Sequence, residues 1–300
     1  MLSSTSAHHR LGIIAALAST ILSSVAWLTQ AEAVRALSPI VFLAFGPLVA
    51  GALIGSYLAL TGKLPTRAQI YQHRKDLLTL LAVRYLVAAT LYAYALELTA
   101  CSKVIFLTKV EPYMVIFWYW ILHKQRVERY HLFLLAVHIA GAIVLSTGGK
   151  LHFDIDQLGD LMILVAVALS SLSYLPAQRL SRSLGSSSAT FLLQSISGLI
   201  FLPAVLWQDS RTVNFEESHV LYGWGMLVLT VVLFHVFSSI FWYYSLQKTQ
   251  AWLISALRCI GPIVAMPIAW LVLKQPLTPL QLVGAAVVLL TSWLMVKERR

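Results

Sequence analysis

Apolar runs of about 20 residues, separated by short polar steps, recur along the whole chain. A helix needs about 20 apolar residues to cross a roughly 30 Å hydrocarbon core. Inside lipid, helical segments satisfy every backbone group internally. The pattern predicts about ten spans: 11–31, 37–60, 77–98, 103–122, 130–148, 158–177, 188–207, 220–245, 251–272 and 278–296. Five fall on each side of a linker near Gly149 to Gln157, dividing the chain into units 1–150 and 151–300. The step from Glu97 to Lys103 is short, and one long helix is the alternative there.

The two units repeat each other. Leu107 to Gln125 aligns without a gap on Leu257 to Gln275, matching Leu107/Leu257, Pro112/Pro262, Trp120/Trp270, Lys124/Lys274 and Gln125/Gln275. Leu11 to Leu28 aligns on Leu158 to Leu175 with seven of eighteen positions identical. Units with an odd number of spans must lie oppositely oriented in the bilayer, an architecture that transporters use with the site at the repeat interface. The expected fold is therefore an all-α integral membrane protein: ten transmembrane helices as two inverted five-helix repeats.

Composition agrees. The chain is 59% hydrophobic and 11% charged, where soluble domains carry roughly 25% charged residues. The formal net charge of +10 does not indicate nucleic acid, because the basic residues cluster in loops between apolar runs. With the N-terminus inside, the inner loops and termini hold fourteen Lys and Arg and the outer loops five. That bias places both termini in the cytoplasm. Arg10, an apolar run and Ala31-Glu32-Ala33 mimic a cleavable leader. The internal copy beginning at Leu158 identifies residues 11–31 as a retained span instead. Cys101 and Cys259 have no metal-ligand spacing. No nucleotide-binding or hydrolase motif is present, so no cofactor or metal is expected.

Arg84, Lys109, Glu111 and Arg258 fall inside spans, and Glu97 near an outer end. Each charge near a bilayer centre costs about 2.5–3.5 kcal/mol, so these groups face protein, a wet cavity or an interface. Arg84 can equally snorkel to the cytoplasmic face. Lys109 and Glu111 lie on nearly opposite faces of a helix and share a cavity only if Pro112 unwinds the turn. Pro112 and Pro262 are repeat-equivalent candidates for functional bends. His138 and His235 are mid-span, and with Glu111 are candidates for a proton relay or, for the histidines, packing. Trp27 and Tyr174 are repeat-equivalent, as are Tyr94 and Tyr244. These aromatics are candidates for a cavity wall or for core and interface packing. Gly51 to Gly55 marks close helix packing.

The stretches YALELTACSKVIFLTKVEPYM and YYSLQKTQAWLISALRCIGPIV, with the closing LKQPLTPLQLVGAAVVLL, resemble an EamA-type permease of the drug/metabolite transporter superfamily. Glu111-Pro112, preceded by Tyr94-Ala95-Leu96, is the most specific element. The resemblance implies a permease, often an exporter of amino acids, metabolites or drugs, working by alternating access, with spans three, four, eight and nine lining a central cavity. Two departures are Gly261-Pro262, where many relatives carry Glu-Pro, and Lys274-Gln275-Pro276, where Gly-Glu-Pro is usual.

The expected function is secondary transport of a small polar or amphipathic metabolite in the bacterial cytoplasmic membrane. The expected partners are that substrate and the lipid bilayer; proton coupling and oligomeric state stay open. Arg84, Lys109 and Arg258 outnumber Glu97 and Glu111, which favours an anionic group on the substrate. In this expectation Arg258 or Lys109 holds the anion, while Glu111 balances Lys109 or carries a proton. The alternatives are a sugar-phosphate or nucleotide-sugar antiporter of the same superfamily, and a membrane enzyme or scaffold.

Overall fold

A computed structural model describes residues 2–98, 107–124, 128–147, 158–207, 218–261 and 278–297, together with Val104, Ile263 and Val264. Every regular element among the described residues is helical. In chain order they are α1 (Leu2–Leu37), α2 (Pro39–Leu60), α3 (Arg67–Gln72), α4 (Arg74–Leu98), α5 (Glu111–His123), α6 (Arg129–Thr147), α7 (Leu158–Leu172), α8 (Tyr174–Leu184), α9 (Ser186–Trp207), α10 (His219–Lys248), α11 (Ala251–Leu257) and α12 (Pro279–Lys297). Among the described residues, α2, α4, α9, α10 and residues His8–Leu37 of α1 are long and apolar enough to cross a membrane. The α7–α8 pair makes a sixth candidate if its 42° bend lies within one span.

The burial pattern is inverted relative to a water-soluble protein. Leu60, Leu206 and Trp207 are 89%, 82% and 92% exposed, while Ser19, Gln30, His138 and Gln194 are buried. An exterior of bare leucine and tryptophan is stable against hydrocarbon, not water.

Element boundaries follow local chemistry. The first span was expected to end at residue 31, but α1 continues to Leu37. Ala31 to Leu37 contains no helix breaker, and Glu32 pairs with Arg35 one turn on, at 3.6 Å. The helix breaks at Ser38, whose φ is 83°, and Pro39 opens α2. The expected span 158–177 is instead broken at Ser173. Pro176 lacks the N–H that would bond four residues back to Leu172, and Ser173 closes a tighter turn on the Ser170 carbonyl, at 3.1 Å.

Four helix pairings organise the bundle: α2 against α9, α6 against α12, α1 along α10, and α4 along α7. The first is a small-residue seam. A Cβ at Gly51 would lie 2.3 Å from Ser195 Oγ, and one at Gly198 2.7 Å from the Leu48 amide nitrogen. Gly141 and Gly284 serve the α6–α12 pair in the same way.

Irregular geometry recurs at matching places. Leu81–Ala88 in α4 and Val231–Ser238 in α10 are π-helical. Thr108–Val110 and Arg258–Ile260 are 3₁₀ turns. Each pair is separated by the same 150 positions as the sequence repeat. Interruptions of this kind cluster at functional sites.

Two apolar clusters sit at opposite ends of the long helices. One includes Leu77, Leu80, Tyr174, Leu180, Tyr243 and Leu246. The other includes Val34, Phe42, Leu96, Ile163, Val220 and Leu227. On α1, α4, α7 and α10 the residues between them are more polar, and there a cavity opens.

Candidate functional site

The central cavity has a volume of about 130 Å³, and a second compartment of about 50 Å³ adjoins it. Trp27, Glu111 and Arg258 line both. The wall repeats with the sequence. Arg84, Tyr85, Ala89 and Tyr92 of α4 line the larger space, as do Phe234, His235, Ser239 and Trp242 of α10, each 150 positions further on. Thr108, Lys109 and Glu111 line the smaller space, as do their counterparts Arg258, Cys259 and Gly261.

The 3₁₀ turn at 108–110 answers the geometric objection raised by the two-residue spacing. Tightened to three residues per turn, the backbone brings both Lys109 and Glu111 to the small compartment. Pro112 occupies the first turn of α5, where its missing N–H has no intrahelical duty. It therefore restarts the helix beyond the 3₁₀ turn. Its counterpart Pro262 lies outside the described residues.

Glu111 pairs with Arg258, at 3.7 Å between Oε2 and Nη1, with both side chains largely buried. The partner is thus Arg258 rather than Lys109. Arg258 also donates to the Tyr174 hydroxyl at 3.4 Å. Arg84 stacks on the Trp242 ring at 4.2 Å. It donates to the Ser170 carbonyl and the Ser173 hydroxyl, at 3.4 and 3.3 Å, docking on the bend between α7 and α8. Among the described residues no carboxylate pairs with Arg84 or with the buried Lys109. The site therefore holds more positive than negative charge. The place equivalent to Glu111 is Gly261, which brings no second carboxylate to the site; a Cβ there would come within 2.7 Å of Ser24 Oγ.

Trp27 packs edge-on against Tyr92, with centroids 5.9 Å apart. Tyr174 is fully buried behind the wall. Tyr94 and Tyr244 do not line the cavity. Tyr94 borders a separate groove with Ile40, Pro203, Ala204 and Trp207, and Lys248 lies over the Tyr244 ring at 5.9 Å. The wall positions are Tyr92 and Trp242, two residues earlier, and two residues turn a helix by about 200°. Glu97 is exposed.

The two histidines part company. His138 is completely buried away from the cavity, with Nδ1 2.8 Å from Thr291 Oγ1 and Nε2 3.0 Å from the Ala256 carbonyl. It ties α6 to α12 and α11. His235 lines the cavity, and Nδ1 lies 3.3 Å from Gln194 Oε1. Gln194 also donates from Nε2 to the His235 carbonyl at 3.2 Å. That bond fixes the amide orientation, so the Nδ1–H donates to Oε1.

The sequence reading missed the polar lining: Ser23, Ser24, Gln30, Ser170, Gln194 and Ser197. One signal was available. Ser19, Ser23, Trp27 and Gln30 recur at spacings of four, four and three along an otherwise apolar helix, which marks a single polar face.

The chain matches the EamA-like transporter family twice, over residues 10–147 and 157–297. It is 22% identical over 204 residues to the "Uncharacterized transporter YetK" of Bacillus subtilis (strain 168), a match covering 65% of this chain and 60% of that protein. The chain thus spans about 60% of the length of that curated relative. A solved structure described only as "Crystal structure of protein" superposes with a TM-score of 0.71 at 16% identity, covering 95% of this chain and 96% of the other. At that identity the likeness concerns the fold.

Proposed function

Because the chain belongs to the EamA-like transporter family and is a multi-pass membrane transporter, we propose that it carries a small polar or amphipathic metabolite, such as an amino acid, through the Glu111–Arg258–Arg84 cavity by alternating access. The observation that carries this reading is a largely buried ion pair beside a second guanidinium that has no carboxylate partner among the described residues, in one cavity. Buried charge is costly in a membrane protein and marks sites that touch cargo or ions. The excess of cation favours a substrate with a carboxylate or another anionic group, held by Arg84. Trp27, Tyr92 and Trp242 offer its apolar part a wall.

Two inverted five-helix halves, rocking about this cavity, are the proposed machinery. Paired lining positions and the matched helix pairings support a two-fold relation between the halves. The asymmetry of basic loops supports placing both termini in the cytoplasm, and the family resemblance supports export from a bacterial cell. The same positive cavity favours one alternative, exchange of a sugar phosphate or nucleotide sugar.

A metabolite screen of cells overproducing the chain, followed by counterflow in proteoliposomes, tests the reading. The expected result is uptake of an anionic or zwitterionic solute that Arg84→Gln abolishes. Uptake accelerated only by unlabelled sugar phosphate selects the antiporter. Solute movement indifferent to Arg84, Glu111 and Arg258 discards this cavity as the path.

A further inference from the structure

The two ends of the cavity are closed differently. At the end marked by Asp76, the last turn of α10 and the body of α8 cap each other. Gln178 donates from Nε2 to the Leu246 and Thr249 carbonyls, both at 3.0 Å, and accepts from the Tyr119 hydroxyl at 3.1 Å. Arg182 donates to the Gln247 carbonyl at 3.4 Å, and Gln247 returns a bond to the Ser181 carbonyl at 2.7 Å. The final carbonyls of a helix have no partner within it, so α8 supplies what α10 lacks. Outside the clasp, Arg179 grips Asp76 through two nitrogens, at 2.6 and 3.0 Å. Inside it, Leu80, Tyr174, Leu180, Tyr243 and Leu246 are fully buried. Arg84, on the cavity wall, lies eight residues from Asp76, so this plug is about 12 Å thick.

The repeat does not carry the Gln178 and Gln247 pair to the opposite end. By the spacing that aligns Leu11 with Leu158, the counterpart of Gln178 is Ala31, which has no donor. By the spacing that aligns Leu107 with Leu257, the counterpart of Gln247 is Glu97, which is exposed. On the cavity wall itself, α1 meets α4 through the edge-on stack of Trp27 on Tyr92.

We propose that the reciprocal clasp of Gln178 and Gln247 is the gate on the Asp76 side of the transport path, shut in this structure, and that the opposite end, with Ala31 and Glu97 at the equivalent places, is not locked by the same pair. The unequal pair biases the resting transporter towards opening away from Asp76. Gln178 and Gln247 are positioning residues, since neither lines the cavity. The inference rests on the transport reading above, but its test requires no cargo.

A reporter thiol is placed on the cavity wall by Ala89→Cys, in a background of Cys101→Ser and Cys259→Ser. A membrane-impermeant maleimide is applied to each face separately in vesicles of both orientations. With the clasp intact, the thiol reacts from the face opposite Gln178. In Gln178→Ala/Gln247→Ala, labelling from the Gln178 face should rise at least tenfold and labelling from the other face should fall. Gln178→Glu keeps the shape and the acceptor for Tyr119 but donates to neither carbonyl. It should act in the same direction, and it decides the matter if the double variant aggregates on size exclusion. Labelling from the Gln178 face within twofold of the parent in the folded variants overturns the gate and leaves the transport reading standing. A thiol reached from neither face in any variant would defeat both.

Discussion

At the scale of single residues, the site depends on which charges meet. Glu111 and Arg258 neutralise each other, leaving Arg84 to face the cavity with neutral partners. Removing one member of a buried pair strands the other, at a cost of about 3 kcal/mol or more. Arg258→Gln should therefore abolish transport and lower thermal stability, while Glu111→Gln/Arg258→Gln regains stability without regaining transport. Thermal unfolding in detergent, read beside vesicle uptake, separates these outcomes. Wild-type transport in Arg258→Gln would remove the pair from the mechanism. Arg84→Lys keeps the charge but loses the flat stacking on Trp242 and the forked donors. Its uptake should fall about tenfold, and an unaffected rate would mean that charge alone suffices. Tyr92→Ala should impair uptake while Tyr94→Ala stays within twofold, since only Tyr92 lines the cavity.

At the scale of elements, interruptions of helices place the chemistry. The 3₁₀ turn before Pro112 brings Lys109 and Glu111 together, and the break at Ser173 gives Arg84 its carbonyl and hydroxyl acceptors. Pro112→Ala lets a regular helix run back through residues 108–110 and swings Lys109 off the compartment. Turnover should drop several-fold while bound substrate is still detected by ligand-induced thermal shift; unchanged turnover would leave the proline a packing residue. The α2–α9 seam is set by volume. Gly198→Val must displace the Leu48 backbone, and overpacking of this kind costs about 1–3 kcal/mol. A lowered melting temperature is the expected signature, and an unchanged one would contradict the close approach.

At the scale of the whole molecule, two related halves enclose one positive cavity between two apolar plugs. If the halves are inverted five-span units, cysteines placed near the two termini react with an impermeant reagent from the same face. Reaction from opposite faces would exclude an even number of spans.

Much of the molecule was legible along the chain. The apolar runs forced helices in lipid, since no other element satisfies its backbone there. The matched positions at Leu107/Leu257 and Leu11/Leu158 disclosed the duplication, and the family match falls on both halves. The candidates Trp27, Arg84, Lys109, Glu111, His235 and Arg258 all reached the cavity. The chain disclosed facing on α1 alone, through Ser19, Ser23, Trp27 and Gln30. In a helix apolar on every side, no stripe distinguishes the lipid side from the interior, so Tyr94 and Tyr244 stood in for Tyr92 and Trp242, and His138 for a cavity residue. Nor could it pair Glu111 with Arg258, or Gln178 with the end of α10. Those contacts join segments far apart in sequence, and packing in three dimensions alone decides which of several equally apolar faces turns inward.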